Sequence, residues 1–238
     1  MTEIVNTGER ILLEKETPQM IARHLCAYTF ASSYCAAKKV LDVGCGEGYG
    51  SSYLAQKAAQ VTGMDYDKDI IAYARDKYRK ANLAFCVGQP QDGLSPHQQF
   101  DVICSFQVIE HIRDTGVFLE GIKKLLRDKG RFICSTPNKL DASPHSLAPL
   151  NKFHVKEYLY GEFVELLQAH FKTVEMFGLK RGKRFNFFRR MKKIGICTML
   201  PAPLNPVKKF YDHIGCDDFI IGKHPQNNAL DFFAVCSV

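Results

Sequence analysis

The chain has 238 residues, 46% hydrophobic and 24% charged, with a formal charge of +7 at neutral pH. That length supports one substantial core, and the composition marks a soluble globular protein. The apolar runs are too short to cross a bilayer, MTEIVNTGER lacks the basic-then-apolar layout of a secretory leader, and the odd count of nine cysteines with no C-x-x-C argues against a disulfide framework or a zinc site. A cytoplasmic protein with buried thiols, among them Cys86, Cys104, Cys134 and Cys236, is expected.

In chain order, Met1 to Glu16 is a polar arm in which Glu9 and Arg10 are candidates for a lid. Thr17-Pro18 starts a helix in which Ile21, Leu25 and Tyr28 recur at helical spacing and pack on one end of a sheet. Val40 to Val43 reads as a short buried strand, and Gly44, Gly46 and Gly48 form a sharp turn that admits a ligand close to the backbone. Ser51 to Ala59 continues as a helix, whose first amides form an electropositive concavity. A second strand, Gln60 to Met64, ends on Asp65, where a carboxylate can accept both hydroxyls of a ribose. Together these describe a nucleoside pocket.

Asp67 or Asp69 caps the next helix, which runs to about Lys80 with Ile70, Ile71, Ala74 and Tyr78 on one period. Leu83 to Val87 is a third strand and Phe100 to Phe106 a central fourth. The stretch Gln107 to Ile112 then lies at the carboxyl edge of the sheet, where open α/β folds bind ligands. An amphipathic helix, Val117 to Leu126, stops at Lys129-Gly130, and Arg131 to Ser135 is the fifth strand. Thr136-Pro137-Asn138 leads into a Ser-, Pro- and Ala-rich loop to Leu150, read as part of a substrate mouth with His145 solvated. After Asn151 to Tyr158 a helix extends to about His170 with Phe163, Leu166 and Leu167 inward. Phe171 to Phe177 is the sixth strand and Leu230 to Cys236 the last.

Charge bears on which nucleoside cofactor fits. The third glycine of a dinucleotide turn is replaced by Tyr49, Asp42 stands at the mouth of the turn where it would repel a pyrophosphate, and no Lys or Arg lies between Leu41 and Gln56. S-adenosylmethionine has no phosphate, and its ammonium and sulfonium suit an acidic rim. The run Asp42 to Gly50, DVGCGEGYG, resembles the first motif of class I S-adenosylmethionine-dependent methyltransferases, and Ser105 to Ile112, SFQVIEHI, resembles the fourth. The resemblance covers roughly residues 8 to 177 and the last strand.

That resemblance implies a Rossmann-like α/β fold: a seven-stranded, mostly parallel sheet with helices on both faces, its last strand antiparallel between the fifth and sixth. It implies S-adenosyl-L-methionine as cofactor, S-adenosyl-L-homocysteine as product, and a cofactor site built from Asp42, Gly44, Cys45, Gly46, Tyr49, Asp65, Tyr66, Gln89, Ser105, Phe106 and Gln107. Gln89 and Gln107 stand where many relatives carry an acid; the Gln89 amide oxygen, or Asp92, can serve the adenine. His111 is placed toward the substrate. The run Asn151 to Tyr158 resembles a signature of bacterial methyltransferases of polysaccharide and other secondary pathways, in which a histidine, here His154, reaches the active site; the alternative is a structural cap.

One domain is expected, with an N-terminal helical cap over about 1–37 and a basic insertion over about 178–228. Within it Lys180 to Lys193 carries eight cations, no acid and interleaved aromatics. The leading expectation is methyl transfer to an oxygen of a small-molecule acceptor, such as a sugar or lipid-linked precursor, with His111 or His154 as general base and no metal required. A metal-assisted phenol O-methylation, an RNA methyltransferase gripping its substrate through residues 180–193, a non-catalytic cofactor-binding protein and, more distantly, an NAD-dependent oxidoreductase are the alternatives.

Overall fold

The Thr17 hydroxyl accepts the Met20 amide at 3.3 Å and Pro18 takes the first helical position, which together start α1 (Pro18–Cys35) in the computed structural model. The structure describes residues 11–92, 98–195, 197, 200–223 and 228–238; the lid expected at Glu9 and Arg10 lies outside them. The buried stripe of α1 is Ala22, Cys26, Ala31 and Cys35 with Tyr28, while Ile21 and Leu25 are only half-buried. Small side chains let the helix lie close on the sheet, so the contact face is one residue away from the one that hydropathy picks out.

The chain continues through β1 (Lys39–Val43), α2 (Tyr49–Leu54), β2 (Gln60–Asp65), α3 (Lys68–Lys77), β3 (Leu83–Val87) and β4 (Phe100–Phe106). Asp67 caps α3 by accepting the Asp69 and Ile70 amides at 2.8 and 3.3 Å. Then follow α4 (Thr115–Leu125), β5 (Leu126–Pro137), α5 (Lys139–Ala142), α6 (Tyr160–Gln168), β6 (Thr173–Arg181), α7 (Lys183–Lys193), α8 (Pro206–Asp212), β7 (Phe219–Lys223) and β8 (Asp231–Ser237). The strands form one sheet in the order β3-β2-β1-β4-β5-β8-β6-β7. β1 to β5 run parallel, and β8 pairs antiparallel with both β5 and β6.

The sheet has eight strands rather than the expected seven. The extra one, β7, arises within the basic insertion and adds antiparallel to β6 at the sheet edge. Its sequence, Phe-Ile-Ile-Gly-Lys, is short and largely solvent-facing, with only Phe219 buried, so it lacks the apolar continuity that marks the interior strands. β6 also runs on to Arg181, which puts Lys180 and Arg181 in the sheet itself.

Successive residues of β1 feed opposite faces: Val40 joins the core beneath α1 and α2, and Leu41 joins the core beneath α4 and α6. On the first face Phe185 of α7 is 1% exposed among Phe210, Tyr211 and Phe219, burial that contributes roughly 1.5–3 kcal/mol and fixes the insertion to the domain. The chain winds from β1 outward to β3 and returns to place β4 on the other side of β1, so the sheet opens a crevice beyond the carboxyl ends of β1 and β4. None of the helices among the described residues is long and apolar enough to cross a membrane.

Candidate active site

The crevice is floored by the glycine turn. Gly44 has φ +73° and Gly46 φ +52°, the left-handed region where a side chain is strained. A Cβ on Gly44 would run into the Val108 side chain, whereas one on Gly46 would meet nothing within 4 Å. Bare backbone therefore faces open space at Gly46. The turn is stapled to β2: the Gly44 and Cys45 amides donate to the Met64 carbonyl at 2.8 and 3.0 Å, and the Gly46 amide donates to Asp65 Oδ2 at 3.0 Å.

Asp42 is not at the mouth of this turn. Its carboxylate is wholly buried beneath it, accepting Ser51 Oγ at 2.6 Å and Tyr28 Oη at 3.5 Å. Burial pushes its carboxyl up to about 7, a shift those hydrogen bonds offset only in part. β1 pairs on both sides at this position, with Gly63 and Cys104, so the side chain can only point into a sheet face already covered by α1 and α2. Sequence spacing places an acid next to the glycines but does not say on which side of the sheet it falls.

Above the turn lies a cavity of about 280 Å³. Gly44, Cys45, Gly46 and Tyr49 line it from the turn, Phe106 and Gln107 from the end of β4, and both candidate histidines, His111 and His154, from the far wall. Asp65, Tyr66 and Gln89 stand outside it, at the carboxyl ends of the neighbouring strands β2 and β3, where Asp65 is in register with Val87. Tyr66 is exposed, and the Gln89 amide oxygen accepts Gln91 Nε2 at 2.8 Å. Ser105 is buried and does not line the cavity, and among the described residues its hydroxyl has no hydrogen-bond partner.

Two further side chains come from α1. Arg23 donates to both carboxylate oxygens of Asp231 and to the Leu230 carbonyl, and Gln107, in a left-handed backbone conformation (φ +57°), reaches the same carboxylate at 3.4 Å. Beside it His24 is held neutral, its pKa lowered to about 4 chiefly by burial.

The histidine wall is made by the segment after β4 and the loop before α6. The rings of His111 and His154 meet edge to face at 4.9 Å. His111 Nδ1 lies 3.0 Å from the Phe153 carbonyl and His154 Nδ1 lies 2.7 Å from Glu157 Oε1. Both partners are acceptors, so the neutral form of each ring carries its proton on Nδ1 and its lone pair on Nε2. His154 Nε2 takes the Asn151 side-chain amide at 3.0 Å.

Glu110, fully buried beside them, is pushed up to about 8 by burial despite the Thr136 hydroxyl at 3.2 Å, and among the described residues its other oxygen has no partner. Ligand atoms of Glu110, His111 and His154 lie within 4.8 Å of one another, an arrangement able to hold a divalent cation.

Residues 36–180 match a methyltransferase domain family. A probable S-adenosylmethionine-dependent methyltransferase from Mycolicibacterium smegmatis is 37% identical over 179 residues, covering 74% of this chain and 68% of that protein. This chain belongs to the S-adenosylmethionine-dependent methyltransferase family. It thus spans about two thirds of the length of that relative. A ubiquinone biosynthesis O-methyltransferase from Bradyrhizobium diazoefficiens is 35% identical over 104 residues, 42% of this chain and 40% of that protein. The crystal structure of a TehB-like methyltransferase from Corynebacterium glutamicum shares the fold, with a TM-score of 0.55 at 17% identity over 89% of this chain and 86% of that one.

The methyltransferase's crevice fits its cofactor. The open cradle at Gly46 leaves room for a ligand against the backbone, and among the described residues Arg23 is the one Lys or Arg lining the cavity and is paired with Asp231, a lining that suits a phosphate-free ligand. Sequence reasoning missed Glu110, Glu157, Asn151, Arg23 and Asp231. For Glu110 and Glu157 the signal was sequence adjacency to the two histidines, whereas Arg23 and Asp231 are 208 residues apart and only the fold joins them.

Proposed function

We propose that the protein transfers a methyl group to an oxygen of a small-molecule acceptor, with the histidine wall as its acid–base apparatus. When bound, the cofactor supplies an electrophilic methyl on its sulfonium. The glycine turn, Tyr49 and Phe106 hold its methionine end inside the cavity, and Asp65, with Tyr66 and Gln89, takes its nucleoside on the outer side of the turn. Asp42 acts from beneath by fixing Ser51 and thus the start of α2.

The observation that carries the oxygen acceptor is the pairing of His154 with Glu157 at the edge of the cavity. An alcohol has a high pKa, so its oxygen becomes a useful nucleophile only as its proton leaves. The acceptor hydroxyl displaces the Asn151 amide and gives its proton to His154 Nε2. Glu157 keeps the ring in the correct tautomer and stabilises the imidazolium formed. His111, held by the Phe153 carbonyl, positions the same oxygen. The O-methyltransferase named among the relatives, which matches 42% of this chain, agrees with such an acceptor.

The test is methyl-transfer screening of hydroxylated small molecules with detection of S-adenosylhomocysteine, run on wild type and His154→Gln. The reading expects turnover with at least one hydroxylated acceptor and its loss in the variant with cofactor affinity kept. Transfer only to nitrogen or carbon acceptors would falsify it.

A further inference from the structure

Between the catalytic cavity and the end of the sheet runs a second, strongly basic groove. α7 forms one wall and is firmly seated: Phe185 is buried, and Phe188 stacks on Phe210 at 4.4 Å and 11°. Two adjoining hollows of about 420 and 610 Å³ share Arg181, Asn186 and Arg189. Asn186, Arg189, Arg190 and Lys193 fall at i, i+3, i+4 and i+7, so α7 turns one face of cations and an amide into them.

The groove adjoins the methyltransferase cavity through two elements. Met20 and Arg23 of α1 and Ala142 of α5 line the cavity, while their neighbours Gln19 and Asp141 line the groove. Its charge is only partly compensated among the described residues. Arg184 pairs with Asp218 at 3.6 Å and Arg181 reaches Asp141 at 3.7 Å, but among the described residues Arg189, Arg190 and Lys193 have no carboxylate within 4.0 Å. Burial, helped by the like charges of Arg189 and Arg23 and opposed by Asp141, holds the half-buried Arg181 guanidinium below the usual arginine value. A ligand anion relieves that repulsion. Arginine forks suit phosphate, which they bind bidentately.

We infer that this groove binds the phosphate of the acceptor, a phosphate monoester or diphosphate whose hydroxylated end reaches His111 and His154. The inference rests on the oxygen-acceptor reading above and names its substrate class. The phosphate belongs either to a nucleotide-linked or to a lipid-linked molecule, since the groove chemistry is common to both.

Calorimetric titration of the full chain, saturated with S-adenosylhomocysteine, uses inorganic pyrophosphate as probe. Saturable binding is expected, weakened roughly tenfold in Arg189→Ala and further in Arg189→Ala/Arg190→Ala, partly restored in Arg189→Lys, and reduced by added salt. Both arginines are exposed, and cofactor affinity stays unchanged in every variant, which shows that the fold is kept. Competition by ADP or by farnesyl diphosphate assigns the nucleotide or lipid source.

Cofactor binding without pyrophosphate binding overturns the groove assignment and leaves the methyltransferase reading standing, whereas failure of the wild type to bind the cofactor removes both. Equal pyrophosphate affinity in wild type and double variant also overturns it. So does binding of homopolymeric RNA or phosphatidylglycerol vesicles without pyrophosphate, which would make the groove a macromolecular or membrane surface.

Discussion

Ser51 Oγ donates to Asp42 Oδ2 at 2.6 Å, joining the first turn of α2 to the strand that leads into the glycine turn from below. The acid is structural in its contacts and electrostatic in its cost, because it is buried at about pKa 7 beside a second carboxyl, Asp65.

That cost gives the fold a pH dependence. Asp42 moves from 3.8 to about 7 and Glu110 from 4.5 to about 8 on folding, so both bind protons more tightly folded than unfolded. Their contribution is fully present below the unfolded values and is lost as pH rises through 7 and 8. His24, lowered from 6.5 to about 4, acts in the opposite sense, and its contribution is complete above about 6.5. The melting temperature of ligand-free protein is therefore expected to fall between pH 6.5 and 8.5, and to fall less in Asp42→Asn and in Glu110→Gln. A flat or rising profile in wild type contradicts these assignments.

Two of the turn's three glycines separate folding from binding. Gly44→Ala meets both a positive φ and the Val108 side chain, so it lowers the melting temperature and abolishes cofactor binding. Gly46→Ala meets open space, so its stability loss is limited to backbone strain of about 1–2 kcal/mol, while its methyl intrudes on the ligand. Thermal unfolding and S-adenosylhomocysteine titration on both variants check this; full cofactor affinity in Gly46→Ala contradicts the placement of the ligand.

For the histidine wall, His154→Gln is expected to lower kcat by roughly 10²–10⁴-fold with cofactor affinity unchanged, and Glu157→Gln to give a smaller loss and a shifted pH–rate profile. The chemistry assigned to these residues needs no metal, so dialysis against EDTA leaves turnover intact. Loss of activity restored by a divalent ion would reassign Glu110, His111 and His154 as ligands.

Much of the geometry around the glycine turn was legible in the sequence because it is local. The turn Gly44 to Gly48, the cap at Asp67 and the acid Asp65 at the end of the next strand are all set by short-range spacing. What was not legible depends on three-dimensional closure. Asp42 is turned inward by a strand paired on both sides, and the tie from Arg23 to Asp231 exists only because β8 returns between β5 and β6. β7 went unseen since an edge strand with one buried residue carries almost no hydropathy signal. His154 was readable as a candidate, but its carboxylate partner is defined by the bend of a loop, which no periodicity encodes.

Asp65 accepts the Gly46 amide at 3.0 Å and the Asp67 amide at 3.1 Å, which fixes the carboxylate beside the turn where a ribose is expected. Calorimetric titration of the purified chain with S-adenosylhomocysteine, in parallel with NAD, tests the account most directly. Stoichiometric binding of the former at the glycine-turn crevice, not displaced by saturating NAD and weakened roughly 10–100-fold in Asp65→Ala, is the predicted result. Tight uptake of the dinucleotide with no response to S-adenosylhomocysteine would contradict it.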